Sequence, residues 1–451
     1  MQNNSDWLQR SKQAVWHPCT QMKQHETLPL VPIARGQGVW LEDFDGQRYL
    51  DAISSWWVNL FGHANPVIGA AIRQQLDTLE HVMLAGFTHR PVVELSERLA
   101  SLAPGELGHC FYGSDGASAV EIALKMSFHS WRNRGQAEKN RFISLQNSYH
   151  GETLGALSVT DVAIFSDTYA PLLRQSVQVP SPDWRTAQPG ESAEDVARRA
   201  AHVLEAHLAQ HHGTTAAVIV EPLVQGAAGM AMHHPLYLQQ LRQICDRYGV
   251  HLIADEIAVG FGRTGTLFAC EQAGIAPDFL CLSKGITGGF LPLSVVMTTP
   301  AIYADFYADR VAQGFLHSHS YTGNPLACSA ALAVLDIFAA DDVLANNRRK
   351  AELLTRLAEP LKNHPRVRHF RHTGMIWAFD IAAAPPLFAR NLFAAALRRG
   401  VLLRPIGNTV YWMPPYVIEE ADMRLLVAAT QGALEEVLSN PQGEGDEAVV
   451  P

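Results

Sequence analysis

The chain has 451 residues, 47% of them hydrophobic and 18% charged, with 35 basic against 44 acidic side chains for a net charge of −9. That balance, without a Lys/Arg-rich run, argues against a nucleic-acid partner. No apolar stretch approaches the length of a membrane helix, and the opening MQNNSDWLQRSKQAV lacks the apolar core of a signal peptide. Six scattered cysteines without a C-x-x-C pair predict reduced thiols, a cytoplasmic setting and no zinc site.

In chain order, Val39–Leu41, an Asp45-Gly46 turn and Tyr49-Leu50 read as a hairpin. Amphipathic helices are predicted over 65–82, with Pro66 in the first turn, and over 91–103. A short strand at 109–113 runs through a turn into a helix over 117–134. Apolar strands then alternate with helices: 141–146, 216–223, 251–256, 278–284 and 293–299. Such runs predict an α/β domain with a buried, mostly parallel sheet. Residues 181–193 read as a surface loop, and alternating elements after 330 predict a smaller α+β domain. The expected divisions are 1–65 as a segment joining the small domain, 66–330 as the large domain, 331–438 as the small domain, and 439–451 as a disordered tail.

The chemistry concentrates at strand ends. DFLCLSKGITGG carries Lys284 out of an apolar run into a glycine-rich turn, and LIADE closes another run on Asp255. A strand-end lysine ordinarily just holds its charge in water, and Asp255 could cap the next helix or pair with Arg263. Two parallel strands would bring both groups to one sheet edge, where α/β proteins bind ligands. Lysine captures an aldehyde as a Schiff base, and an acid keeps a pyridine nitrogen protonated. That pair therefore points to pyridoxal 5'-phosphate. A phosphate needs a cradle, and YGSDGASAVE offers one: Gly113, Gly116 and the capping residues Ser114, Asp115 and Ser118 precede a helix. HSHSYTGNP, with Ser318 and Ser320, is a second candidate. Tyr149 and His150 follow the strand over 141–146 and could cover a flat ring. The run Gly260–Gly265 fits G-x-G-x-x-G and would suit a nicotinamide dehydrogenase. It stands too far beyond its strand, however, and no long helix or correctly spaced acid follows. A non-enzymatic role leaves the lysine, the acid and the cradles without a shared purpose.

LIADEIAVGFGRTG, the Lys284 motif and TGNPLACSAA resemble class III aminotransferases of pyridoxal-phosphate fold type I, and the resemblance runs from about residue 14 to about 430. WHPCTQM, SSWWVNLFGHANP, NSYHGETLGALSV, EPLVQGAAGM and LLRPIGNTVYWMPPY resemble the branch of that family that serves biotin biosynthesis. That branch transfers the amino group of S-adenosylmethionine to 8-amino-7-oxononanoate, giving 7,8-diaminononanoate. The alternative is another class III ω-aminotransferase, acting on diamines or γ-aminobutyrate. The resemblance implies that Lys284 binds the cofactor and moves the proton, Asp255 holds the pyridine nitrogen and Tyr149 lies on the ring. It also implies that the Gly116 and Ala117 amides hold the phosphate, with His319 and Ser320 reaching it from the other subunit of a homodimer whose active sites lie at the interface. Trp56, Tyr149, Lys284, Ser318, Arg263 and Arg404 are implied in substrate binding, with Arg404 on the oxo-acid's carboxylate. Cys19, Ala117 and Glu152 stand where the family usually has tyrosine, serine and aspartate, departures that bear on substrate affinity. No metal is implied.

Overall fold

The computed structural model describes residues 3–28, 30–174 and 176–439. The chain divides into two compact units, one of residues 67–342 and one built from both ends, 1–66 and 343–451. The division after 342 rather than 330 follows from packing. Helix Pro325–Ala340 lies on helix Arg90–Leu102, and the His89 ring bonds to the Gly323 carbonyl at 2.8 Å.

The large unit is organised on seven strands: β1 His109–Gly113, β2 Arg141–Leu145, β3 Val177–Val179, β4 Thr215–Val220, β5 His251–Asp255, β6 Phe279–Leu282 and β7 Ser294–Thr298. They are ordered β1-β7-β6-β5-β4-β2-β3. β7 alone runs antiparallel to its neighbours β6 and β1, and the other pairings are parallel. Every residue of β4, β5, β6 and β7 is buried, as expected of a sheet covered on both faces. Helix α1, Gly116–Asn133, lies against β7 and β6. Its Val120, Ile122, Ala123 and Met126 form one core cluster with Ile253, Phe279 and Val296. Helices α2, Ala193–His211, and α3, Leu236–Tyr248, pack on each other.

β1, β2, β4, β5 and β6 all end at one edge, so the turns after them converge there. The expected helix over 65–82 stops at Leu76, where the Thr78 and Leu79 amides both turn back to the Gln75 carbonyl. The run Gly260–Gly265 forms turns leading to a short 3-10 helix, Ala269–Ala273. Glu256 accepts from the Ala269 and Cys270 amides at 2.6 and 2.8 Å. A dinucleotide site at the start of a long helix is thereby excluded for this segment.

The small unit holds a meander, Ile33–Gln37, Trp40–Asp43 and Arg48–Asp51, joined by Val401–Leu402 lying parallel to the last of these. A second antiparallel sheet comprises Val367–Thr373, Ile376–Ile381 and Thr409–Trp412. Helices Phe388–Leu397 and Glu420–Ser439 pack together. Ser439, expected to begin the tail, closes the last helix, and the rest of that tail lies outside the described residues. Among the described residues no helix is long and apolar enough to cross a membrane.

Candidate active site

In the large unit, Asp255 ends β5 beside Cys281 of β6, and Lys284 follows β6 after Ser283, whose hydroxyl donates to the Leu293 carbonyl at 2.8 Å. Lys284 takes a left-handed backbone, φ 45°, which is costly for a side-chain-bearing residue and clusters at functional positions. The turn closes on Gly288 at φ 62°, where an added Cβ would fall 2.9 Å from the Ile68 side chain. Burial lowers the pKa of the Lys284 amine, opposed by the negative charges of Asp255 and Glu221. A lowered pKa leaves more of the amine unprotonated and nucleophilic.

Asp255 is itself held on both oxygens. Its Oδ2 lies 2.7 Å from His150 Nδ1 and its Oδ1 accepts from the Ile257 amide at 3.1 Å. The His150 ring is fully buried and its Nε2 has no partner among the described residues. The carboxylate can only accept, so His150 carries a hydrogen on Nδ1 and donates it.

Glu221, just past β4, accepts from the Tyr149 amide and the Gly226 amide, both at 3.0 Å. Burial pushes its carboxyl up to about 7; His150 and the Tyr149 amide oppose that shift, and the charge of Asp255 adds to it. A carboxyl with a raised folded pKa favours the fold when protonated. Its contribution is complete below about 4.5 and is lost as pH rises through about 7. Glu221→Gln, which stays neutral, should therefore gain in melting temperature relative to the parent between pH 5 and pH 8.5. Thermal denaturation across that range checks this, and parallel profiles would place the ionisation elsewhere.

Tyr149 donates from its hydroxyl to Glu152 at 2.9 Å, and its ring lies 5.3 Å from that of Phe165. The Tyr149-His150 turn is pressed against the start of α1. Gly151 has φ 119°, and a Cβ there would fall 2.6 Å from Ala117 Cβ. Asp115 caps α1 by accepting from the Ser118 amide at 2.9 Å, which leaves the Gly116 and Ala117 amides at the open first turn. A Cβ at Gly116 would meet Ile257 at 3.0 Å, so the helix start abuts the residue whose amide holds Asp255. The Ser114 hydroxyl lies 3.1 Å from His319 Nδ1, His319 Nε2 lies 3.3 Å from His317 Nε2, and Lys125 donates to His317 Nδ1 at 2.7 Å. His319 thus lies beside Ser114, the residue before the cap of α1. Ser318 and Ser320 are exposed, and Arg263 is fully buried in the turns after β5.

In the small unit, Arg404 lies over the Trp56 ring, 4.6 Å from its centroid. Arg404 and Cys19 line one cavity of about 340 Å³ with mostly apolar walls, among them Leu41, Phe393, Leu397 and Leu402. The predicted residues therefore gather in two groups, Lys284, Asp255, Tyr149, Glu152, Gly116, Ala117 and His319 in one unit, and Cys19, Trp56 and Arg404 in the other. Glu221, His150 as the partner of Asp255, and Asp51 (below) were not predicted. A strand-end acid in EPL was the available signal for Glu221, while the other two depend on pairings across the fold.

The large-unit group fits a phosphate-bearing pyridine aldehyde: a helix start with free amides for the anion, a carboxylate held on both oxygens, an aromatic ring, and an amine with a lowered pKa. The class-III aminotransferase family model matches residues 21–434. The chain belongs to the class III aminotransferases. Curated relatives include the adenosylmethionine-8-amino-7-oxononanoate aminotransferase of Helicobacter pylori, 44% identical over 94% of this chain and 96% of that protein. The crystal structure of the enzyme of that name from Methanocaldococcus jannaschii superposes with a TM-score of 0.90 at 34% identity, covering 96% of this chain and 99% of that one. An amine transaminase from an uncultivated Pseudomonas species, in its PLP-bound form, superposes with a TM-score of 0.87 at 33% identity, covering 94% of this chain and 99% of that one. Members of the family use pyridoxal phosphate, so this chain is a pyridoxal-phosphate-dependent aminotransferase.

Proposed function

We propose that the chain transfers the amino group of S-adenosylmethionine to 8-amino-7-oxononanoate in biotin biosynthesis. Support for this choice over a diamine or γ-aminobutyrate ω-aminotransferase comes from relatives of that name with 33 to 44% identity over more than nine-tenths of the chain. The observation that carries the substrate assignment is the Arg404–Trp56 pair beside an apolar cavity. A guanidinium against an aromatic face, with aliphatic walls nearby, suits a carboxylate at the end of a hydrocarbon chain.

Bound pyridoxal phosphate supplies an aldehyde that captures amines and a ring that draws electrons from the carbon losing its proton. The residues proposed to hold it are Lys284 at the aldehyde, Asp255 at the pyridine nitrogen, Tyr149 on the ring, and Gly116, Ala117, His319 and Ser320 at the phosphate. Lys284, once displaced from the aldehyde, would be a free amine able to take the proton that leaves the substrate carbon, hold it and return it. His150 keeps Asp255 oriented by donating to it. Cys19, Ser318, Glu152 and Arg263 complete the proposed substrate contacts. We place the enzyme in the cytoplasm, in keeping with six free thiols. We also read it as a homodimer with active sites at the interface, in keeping with the exposure of Leu316 and Tyr321 on either side of His319, 78% and 66%.

Measuring the two half-reactions separately tests the substrate assignment. Arg404→Ala should weaken 8-amino-7-oxononanoate about ten- to a hundredfold, the worth of a charge-assisted pair, and leave S-adenosylmethionine nearly unchanged. Equal loss for both substrates would make Arg404 structural.

A further inference from the structure

Ser54, Ser55, Trp56 and Trp57 have φ values of 52°, 47°, 71° and 72°. Four consecutive non-glycine residues thus form one left-handed helical turn, closed by hydrogen bonds that the Trp57 and Val58 amides donate to the Ile53 and Ser54 carbonyls, at 2.8 and 3.0 Å. Left-handed helix is disfavoured for every L-residue and is seldom seen beyond single residues. Such a turn persists only where its surroundings over-determine it.

The surroundings do so. The buried Asp51 carboxylate accepts from the Ser55 amide at 2.9 Å and the Ser55 hydroxyl at 2.7 Å, with His63 Nε2 at 2.9 Å. Ser54 donates to the Met413 carbonyl at 2.7 Å, and the Trp57 indole donates to the Tyr411 hydroxyl at 3.1 Å. Trp57 is buried, whereas Trp56 is turned outward, 41% exposed, under the Arg404 guanidinium. A right-handed turn would rotate these adjacent indoles to other directions.

We propose that this strained turn, clamped by Asp51, is a positioning device that holds Trp56 beneath Arg404 so that the guanidinium is preset for the substrate carboxylate. The inference rests on the substrate reading above and adds Asp51 and Ser55 to it as positioning residues. They touch no substrate and act through Trp56.

Ser55 is exposed, so Ser55→Ala is well suited to the test. It removes the hydroxyl bond to Asp51 and keeps the Cβ that disfavours a left-handed backbone, leaving the turn free to relax. The probe is nonanoate, a straight-chain carboxylate with no reacting group, titrated calorimetrically into the holoenzyme, with the melting temperature measured alongside. The expected result is about tenfold weaker binding by Ser55→Ala, inside the roughly 10²-fold that a 1 Å displacement of a positioned group can cost. The melting temperature should stay within about 2 °C of the parent. The amino-donor half-reaction should be unchanged. Asp51→Asn should weaken nonanoate in the same direction. If nonanoate binds the parent, is lost in Arg404→Ala, and binds Ser55→Ala as tightly as the parent, the positioning role is overturned and the carboxylate assignment stands. If Arg404→Ala binds nonanoate as the parent does, the carboxylate assignment itself fails. A fall in affinity for probe and donor alike, with a large drop in melting temperature, would reduce the turn to scaffold and overturn the inference.

Discussion

Lys284→Ala should lose turnover by at least about 10²- to 10⁴-fold, the range attached to a positioned proton-transfer group, with the loss of the covalent anchor added to it. The substitution removes an amine on which the negative charges of Asp255 and Glu221 act. The noncovalent contacts proposed for the phosphate and the pyridine nitrogen are untouched. The variant should therefore still retain pyridoxal phosphate on gel filtration while lacking the visible absorption of a lysine-linked cofactor. Exogenous methylamine, a small base able to enter the space vacated by the side chain, should restore part of the rate. Normal turnover would remove Lys284 from the mechanism.

Asp255→Asn comes second in expected size. It keeps the shape of the side chain and abolishes its charge. In the parent, His150 Nδ1 and the Ile257 amide both donate to Asp255. In the variant the single amide oxygen can serve one of these donors, and the other faces an amide nitrogen. The charge that favours a protonated pyridine disappears with the carboxylate. An interaction that matters chiefly as negative charge develops on the substrate carbon appears in kcat rather than in substrate binding. The expected loss is on the order of 10²- to 10³-fold in kcat, comparable to removing a preorganised electrostatic partner elsewhere, with KM for both substrates within a few-fold. Single-turnover rates would decide, and an unchanged rate would make Asp255 a structural acid.

Much of the large-unit site was legible because its chemistry sits at punctuation marks. Lys284, Asp255 and Gly116 each stand where an apolar run gives way to glycine or a capping residue, and a parallel sheet gathers such points at one edge. What escaped depends on pairing across the chain. β7 read as an apolar strand like its neighbours, and its antiparallel direction has no local signature, because a fully buried strand looks the same in either sense. Glu221 and His150 are separated by 72 and 105 residues from the groups that make them interesting, Tyr149 and Asp255 respectively. The left-handed turn was invisible for a different reason. Ser-Ser-Trp-Trp has no glycine, and the geometry is imposed by Asp51, Met413 and Tyr411 rather than by its own propensities. The domain boundary shifted from 330 to 342 because helix Pro325–Ala340, apolar nearly all round, finds its partners in the large unit.

The pairing of Arg48–Asp51 with Val401–Leu402 has a consequence for biogenesis. The first of these strands leaves the ribosome early, and the second follows about 350 residues later, a wait of roughly 20 to 70 seconds at 5–20 residues per second. Throughout that interval the large unit, one uninterrupted stretch of 67–342, is free to complete its own sheet. The N-terminal meander meanwhile carries an open edge at Arg48–Asp51, the kind of edge that invites stray pairing. Its neighbouring strand has charged residues at Glu42 and Asp43, and the edge strand itself has Arg48 and Asp51. Charge along a waiting edge is a means by which a nascent chain stays soluble until its last partner arrives.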